Sequence, residues 1–475
     1  MSDFGELKEI FGGNCLVTAE LTEGEQKKAQ RYAIDQVGDD RYRRTPGAVV
    51  FPTETAQVAA LMKWANRTGT PVTPRGAGSG LAGAAVPVEG GVVCSFEKMN
   101  RILEIDTENL MVVVEPGVVT NALDEALKPH NLFFAGYPMS EDICYVGGNV
   151  AENAGGGRAV KYGTTSTYVL GAQVVTPTGE ILNLGGKRLK DVTGYNLLQL
   201  VVGSEGTLGL LTRLVIRVIP RPRERCVLFA AFEETRSATL CIAELKSSLS
   251  DGPSAVEFID GETARRTNES LPAGKRSKLP DGAEAFLLVE FDGATEDGIT
   301  RLLEGAKELV RRRGGTIDTA GMDEATVEDA WRLRKQIAWW VKRTAGAHHS
   351  LEDVVVPPAS VPQLVAFVDG LRSKYEVPVA VFGHAGDGNF HVTPMKAESM
   401  APEEWDTVVK SLLKELYGEV LRLGGTISGE HGIGRKRTGD LVDALSREEY
   451  AAMYTIKKAL DPANVLNPGV IFQGE

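Results

Sequence analysis

The chain is poor in cysteine. Its five, Cys15, Cys94, Cys144, Cys226 and Cys241, form an odd, dispersed set without a C-x-x-C pair. That excludes a local iron–sulfur or structural zinc motif and fits a reducing compartment. Long apolar runs are missing too: no segment approaches about 18 unbroken apolar residues, so no span across a membrane is expected. Surplus positive charge is absent, since 52 Lys and Arg against 64 Asp and Glu leave a formal charge of −12. A nucleic-acid binder, whose affinity rests on cationic contacts to phosphate, is therefore disfavoured. The opening Met-Ser-Asp-Phe-Gly-Glu lacks a signal core and an Arg-rich transit pattern. A cytoplasmic location is expected, or one held at the inner membrane through a partner. There is no internal repeat and no low-complexity run. What remains is an ordinary soluble composition, 43% hydrophobic and 24% charged, in 475 residues, a length that suggests two or three domains.

Glycine, by contrast, is concentrated. Pro138 to Gly163 holds Gly147, Gly148, Gly155, Gly156, Gly157 and Gly163 with Asn149 and Asn153 between them. No apolar period of 2 or 3.6 runs through it, so neither strand nor helix is predicted there. Glycines permit positive φ and strip Cβ atoms from one face, letting backbone N–H groups close on a flat or anionic ligand. Its counterpart upstream is Pro-Arg-Gly-Ala-Gly-Ser-Gly-Leu-Ala-Gly, 74–83. Gly78 to Gly83 also satisfies G-x-G-x-x-G, but a dinucleotide loop should open a helix. Pro87, Gly90, Gly91 and a strand over Val92 to Phe96 follow instead, so that reading is rejected.

These two segments, with Lys161-Tyr-Gly163 and Gly203-Ser-Glu-Gly-Thr-Leu-Gly209, resemble the FAD-binding loops of the vanillyl-alcohol-oxidase flavoprotein superfamily. The resemblance runs from about residue 45 to the end. It is strongest to the D-2-hydroxy-acid dehydrogenases: the glycolate oxidase flavoprotein subunit, D-lactate dehydrogenase and D-2-hydroxyglutarate dehydrogenase. It implies that FAD is held by Pro74, Arg75, Gly76, Ala77, Gly78, Ser79, Gly80 and Leu81 of the first loop. From the second come Pro138, Met139, Ser140, Gly147, Gly148, Asn149, Ala151, Asn153, Ala154, Tyr162 and Gly163. Glu205, Gly206 and Leu208 follow, and Asn467 comes from Leu466-Asn-Pro-Gly469, which resembles the segment that returns to the flavin. Relatives that tether FAD do so through a histidine in the first loop. Ser79 stands near that place, so the flavin should be non-covalent.

The rest of the chain supplies a coarse architecture. Thr22-Glu-Gly-Glu25 has capping-box spacing and predicts a polar helix to about Val37. Val58, Leu61, Met62 and Ala65 mark a helix face. Ile102 to Ile105 and Met111 to Glu115 predict a hairpin around Asn109, and Gly171 to Thr176 with Glu180 to Leu184 flank a turn at Pro177-Thr-Gly179. From Cys226 the order becomes strand, helix, strand, helix, which suits a sheet with helices on one face and resembles the family's ferredoxin-like cap. The expected fold class is α+β: an N-terminal helical arm (1–45), a two-subdomain PCMH-type FAD-binding domain (46–222), a ferredoxin-like cap for substrate and metal (223–425), and a C-terminal segment completing the FAD site (426–475).

Of only six histidines, three fall in two motifs, Gly383-His-Ala-Gly-Asp-Gly-Asn-Phe-His391 and Ser428-Gly-Glu-His-Gly-Ile-Gly434. Turn-formers between His384 and His391 let the chain fold back and aim both imidazoles at one point, and Glu430 adds a carboxylate. Two imidazoles and a carboxylate leave open coordination positions, as in a catalytic metal site. Zinc is the first expectation, and ligand type leaves iron and manganese open. The resemblance implies the same three ligands, His431 as the base, and Arg334 as the guanidinium that binds the substrate carboxylate. Whether His431 is base or hydrogen-bond partner stays open, and Arg332 and Lys335 are read as a solvated helix face.

Departures from the hydroxyglutarate branch bear on substrate. Ala338 stands where that branch has a threonine, Leu351 where it has a lysine, and Thr393 where it has an asparagine. Trp339 and Trp340 either narrow the pocket or belong to the core. A small monocarboxylic 2-hydroxy acid, D-lactate or glycolate, is favoured over D-2-hydroxyglutarate. With no cluster, haem motif or nicotinamide site in the chain, the electron acceptor is external: an iron–sulfur subunit, an electron-transferring flavoprotein, a cytochrome or a quinone. A homodimer and a multisubunit complex both stay open. The rival readings are a non-redox flavoprotein resembling alkylglycerone-phosphate synthase and a flavin subunit that only relays electrons.

Overall fold

Val58, Leu61, Met62 and Ala65 recur at helical spacing, and their burial fixes the helix Thr55–Thr68 to a sheet. The computed structural model describes residues 4–37, 39–249, 252–346 and 348–473. The chain divides into two units. One takes the chain up to Gly155, Thr164–Arg221 and the chain from Glu430 onward; the other takes Gly156–Gly163 and Pro222–Gly429.

The first unit contains β1 (Cys15–Val17), β2 (Ala48–Val50), β3 (Val72–Arg75), β4 (Val92–Ser95), β5 (Ile102–Asp106), β6 (Met111–Val114), β7 (Leu132–Phe133), β8 (Val169–Val175), β9 (Ile181–Gly185), β10 (Leu210–Arg217) and β11 (Ile219–Pro220). A four-stranded sheet runs β1-β2-β4-β3, parallel except for β1. Its core joins the helix Thr55–Thr68 to Val50, Val72, Val92 and the C-terminal Val465 and Leu466. Residues ahead of position 46 share that core through Leu7 and Phe11. An antiparallel sheet runs β5-β6-β10-β8-β9, and β11 pairs with β7. The hairpin around Asn109 forms as expected, with Asp106 accepting from the Asn109 backbone N–H at 2.9 Å. So does the turn at Pro177-Thr-Gly179, whose Gly179 sits at φ +87°.

Two expectations are corrected. The capping box at Thr22 and Glu25 is present, but the helix covers Glu23–Ala29 and a 3-10 turn, Gln30–Tyr32, before stopping short of Val37. The carbonyl of Arg31, which a longer helix would pair internally, accepts instead from the Arg75 guanidinium at 2.8 Å, as does that of Ile34 at 3.0 Å. The stretch 138–163 is not all loop: Val146–Glu152 and Ala159–Tyr162 are short helices. Val146 and Val150, one turn apart, bury one face, and Asn153 ends the first helix in the left-handed region.

The second unit contains β12 (Glu224–Phe232), β13 (Ala255–Asp260), β14 (Ala285–Gly293), β15 (Thr316–Gly321), β16 (Glu352–Val355), β17 (Val379–Gly383) and β18 (Asn389–Pro394). They form one antiparallel sheet, β15-β12-β14-β13-β17-β18-β16. Its first four strands, joined through the helices Thr235–Ser248 and Glu296–Arg312, have the ferredoxin-like order. β17, β18 and β16 extend that sheet and carry the histidine motif. Among the described residues, no helix is long and apolar enough to cross a membrane.

Candidate active site

In the first unit the glycine segments interlock. A Cβ on Gly76 would lie 3.7 Å from the Gly148 Cα. The Gly203 and Glu205 N–H groups donate to the carbonyls of Val150 and Ala151 at 3.0 and 2.8 Å. Gly206, at φ +66°, has room for no side chain, because a Cβ would meet Pro74 Cγ at 2.5 Å. Asn467 donates its amide to the carbonyls of Ala84 and Glu205 at 3.0 and 2.9 Å. Buried Lys457 reaches the carbonyls of Thr207 and Leu466 at 3.1 and 2.7 Å. Four stretches far apart in sequence thus meet around bare backbone.

Individual candidates take different parts in it. Gly76, Ala77, Ser79, Gly80 and Leu81 are half-buried, as are Pro138, Met139, Ser140, Gly148, Ala151 and Leu208. Arg75 is buried, and its guanidinium clamps the carbonyls of Ala85, Arg31 and Ile34. Gly78 must be glycine because a Cβ there would meet that guanidinium at 2.0 Å. Asn149 gives its amide to Thr120 at 2.8 Å, and Asn153 accepts from the Ser166 N–H at 2.9 Å. Tyr162 and Gly163 fall in the other unit, where the Tyr162 hydroxyl donates to Asp292 at 2.8 Å.

The segment Glu430 to Gly434 hangs from Glu205, whose carboxylate accepts from the N–H groups of Ile433 and Gly434, both at 2.7 Å. Burial pushes the Glu205 carboxyl up to about 7 against the pull of those two N–H groups and Arg437. The half-buried Glu152 is close by: a Cβ on Gly432 would meet Glu152 Oε2 at 2.5 Å and Glu205 Oε1 at 3.0 Å. Burial and the Glu205 charge push the Glu152 carboxyl far upward. His431 Nε2 lies 3.7 Å from Glu430 Oε1, and a Cβ on Gly155 would lie 3.6 Å from Glu430 Oε2.

In the second unit, the β17–β18 hairpin brings the two histidines together. Gly383 and Gly388 allow the close turn, since a Cβ on either would press on a backbone oxygen, of Asn389 at 2.4 Å or Val356 at 2.0 Å. The His384 and His391 rings stand 5.4 Å apart and nearly perpendicular. Buried Glu257 of β13 accepts from His384 Nδ1 and Arg334 Nε, each at 2.6 Å. A carboxylate can only accept, so a proton is on Nδ1, and in the neutral form of the ring the lone pair is on Nε2. Burial works to raise the Glu257 carboxyl, but His384 and Arg334 outweigh it and hold it below the usual range. Arg334 also stacks on Phe382, which abuts His391. Asp353, paired in register with His391, accepts from Asn389 Nδ2, Ser428 Oγ and the Gly429 N–H at 2.7, 3.0 and 2.9 Å.

Sequence reasoning missed Glu257. Its signal was a lone carboxylate in the apolar run Ala255-Val-Glu-Phe-Ile259, a charge that a buried strand tolerates only with partners. Arg332 is half-buried and ion-paired to Asp329, while Lys335 is exposed. Trp340 packs into the core beside Ile337 and Val341, and Trp339 is exposed. Ala338 is exposed, and the buried Thr393 hydroxyl has no partner among the described residues.

The residues fit the two groups that the sequence suggests. Over Gly148 an added Cβ would meet nothing within 4 Å, and the buried Ser204 Oγ and Asn467 Oδ1 have no partner among the described residues. An open, glycine-floored cradle with unmet polar atoms suits a flat polar cofactor such as FAD. His384 Nε2 and the neighbouring His391 imidazole suit a divalent metal, with Glu257 orienting the first ligand from behind. Fold and site together define an FAD-dependent oxidoreductase of α+β type. Family comparison sharpens this: residues 46–185 match the model described as FAD binding domain, and 221–471 match FAD linked oxidases, C-terminal domain. The chain belongs to the FAD-linked oxidase family, in the branch of the glycolate oxidase flavoprotein subunit and D-lactate dehydrogenase.

Among its relatives, glycolate oxidase subunit GlcD of Bacillus subtilis is 35% identical over 450 residues, covering 94% of this chain and 93% of that one. D-lactate dehydrogenase of Anaerostipes hadrus is 38% identical, covering 90% and 89%. D-2-hydroxyglutarate dehydrogenase of Stutzerimonas stutzeri is 30% identical, covering 90% and 91%. The solved structure of p-cresol methylhydroxylase superposes with a TM-score of 0.78 at 18% identity, covering 98% of this chain and 95% of that one. That likeness concerns the fold alone.

Proposed function

We propose that the protein oxidises a D-2-hydroxy acid, D-lactate or glycolate in preference to D-2-hydroxyglutarate, to the 2-oxo acid and delivers the electrons to an external acceptor. The observation that carries this reading is the contact chain Arg334–Glu257–His384. It sets a cation suited to a carboxylate and an imidazole suited to a metal on the same buried carboxylate, that of Glu257 on β13. Relatives named glycolate oxidase and D-lactate dehydrogenase support the substrate class.

Arg334 binds the substrate carboxylate through the guanidinium nitrogens that Glu257 leaves over. His384 and His391 hold a divalent metal, with Glu430 as third ligand. His431 takes the proton of the substrate hydroxyl. The FAD held by the glycine segments supplies the hydride acceptor at N5, and the metal lowers the hydroxyl pKa. Ala338 and Leu351 offer a second, distal carboxylate no hydrogen-bond donor from their side chains, and this favours the small acids.

The test is anaerobic bleaching of the flavin absorbance by D-lactate, L-lactate, glycolate and D-2-hydroxyglutarate in metal-replete protein. Bleaching by D-lactate or glycolate is expected. Bleaching by D-2-hydroxyglutarate alone would overturn the pocket argument, and bleaching by none would overturn the activity.

A further inference from the structure

The chain reaches Glu430 through Gly424-Gly-Thr-Ile-Ser-Gly429, a segment that lies along β16 without forming a strand of its own. Val355 and Thr426 exchange two backbone hydrogen bonds, at 3.0 and 2.9 Å. The next backbone tie, from the Gly429 N–H to the Asp353 carbonyl, is longer at 3.1 Å. Glycine gives this stretch wide backbone freedom, whereas a metal holds its ligands to within about 0.2 Å of fixed distances. Something firmer than that ladder has to set where the chain turns to Glu430.

One side chain is placed to do so. Asp353 is fully buried on β16, and one oxygen of its carboxylate accepts from Ser428 Oγ at 3.0 Å and from the Gly429 N–H at 2.9 Å. The other oxygen accepts from Asn389 Nδ2 at 2.7 Å and lies 3.8 Å from His391 Nδ1. Gly429 allows the approach, since a Cβ there would meet Asn389 Nδ2 and Val355 Cγ2, each at 2.6 Å. A single carboxylate therefore joins the strand of His391 to the residue before Glu430. We propose that Asp353 is the positioning residue for Glu430, fixing, relative to β18, the point from which the chain presents that side chain.

This inference rests on the reading of Glu430 as the third metal ligand. A buried carboxylate needs donors converging on it, and those of Asp353 come from the two segments whose spacing a metal site has to keep constant. Glu257 holds the matching place for the first histidine: it backs His384 from β13 as Asp353 faces His391 from β16. The donor set is thus framed by two buried carboxylates. One orients the first histidine, and the other ties the second histidine's strand to the segment that leads to the glutamate.

Zinc dissociation constants of the flavin-loaded full chain, measured by competition with a chelator, test this in a cycle of four proteins: wild type, Glu430→Ala, Asp353→Ala and the double variant. Asp353→Ala should weaken zinc binding about 10- to 100-fold. The double variant should bind zinc little more weakly than Glu430→Ala, because Asp353 then has no ligand left to position. Ser428→Ala removes one hydroxyl from a half-buried residue and runs the same cycle should Asp353→Ala fail to fold. Its loss should be smaller and should also vanish on top of Glu430→Ala. A loss that multiplies in full in the double variants, or zinc binding as tight as the wild type's in Asp353→Ala and Ser428→Ala, would overturn the proposal and leave Glu430 a ligand. Undiminished zinc binding by Glu430→Ala would instead remove the ligand assignment beneath it.

Discussion

Replacing Glu257 by Gln changes one atom at the centre of the second unit and should be felt at two sites together. The glutamate is fully buried and accepts two hydrogen bonds of 2.6 Å, from His384 Nδ1 and Arg334 Nε. Glutamine retains one acceptor oxygen, so its amide nitrogen must face one of those two donors. Arg334, itself 5% exposed, then loses its counter-charge without gaining water. Removing one partner of a buried ion pair costs about 3–5 kcal/mol, and losing an orienting partner behind a metal-ligating histidine costs about 10- to 100-fold in metal affinity. Denaturant unfolding of the metal-free protein reads the first effect, and titration against a metal buffer reads the second. A variant within about 0.5 kcal/mol of the wild type that also holds metal as tightly would refute the idea that Glu257 organises both groups.

Two further outcomes test the first unit. His431→Ala should keep its bound flavin and lose flavin reduction by substrate, by about a hundredfold or more if it is the base; unchanged reduction in stopped flow would remove it from the chemistry. Glu205 titrates in the folded chain near 7, above the ordinary glutamate value of 4.5, so the folded state holds its proton more tightly than the unfolded state does. The cost of that ionisation is absent below about pH 4.5 and complete above about 7, so stability should fall as pH rises through this window. Glu205→Gln should flatten that slope in denaturant titrations at pH 5 and 7, and an unaltered slope would assign it to another group.

Much of this was legible from the residues in order. The face Val58, Leu61, Met62 and Ala65 declared a helix, and the strand–helix alternation after Cys226 declared a sheet with helices on one face, because burial of one face imposes a period on sequence; its ferredoxin-like order came from the family resemblance. Trp340 continues the buried spacing of Leu333 and Ile337, whereas Trp339 lies off that face, so their different fates were written in the same period. Glycine density marked the loops, because a missing Cβ is a local property. Local pattern failed where capture came from elsewhere. The helix after Thr22 stops short of Val37, and Arg75, more than forty residues on, takes the carbonyls of Arg31 and Ile34 just past it.

By itself, then, the sequence determined the elements, the glycine floor and the histidine pair, all set by propensity and spacing over a few residues. Tertiary structure alone decided the pairing of charges. Glu257 meets Arg334 across 77 residues and His384 across 127, and Glu205 meets Ile433 across 228. A carboxylate can be buried only where donors from distant strands and helices converge on it, and that convergence exists only once the sheet has formed.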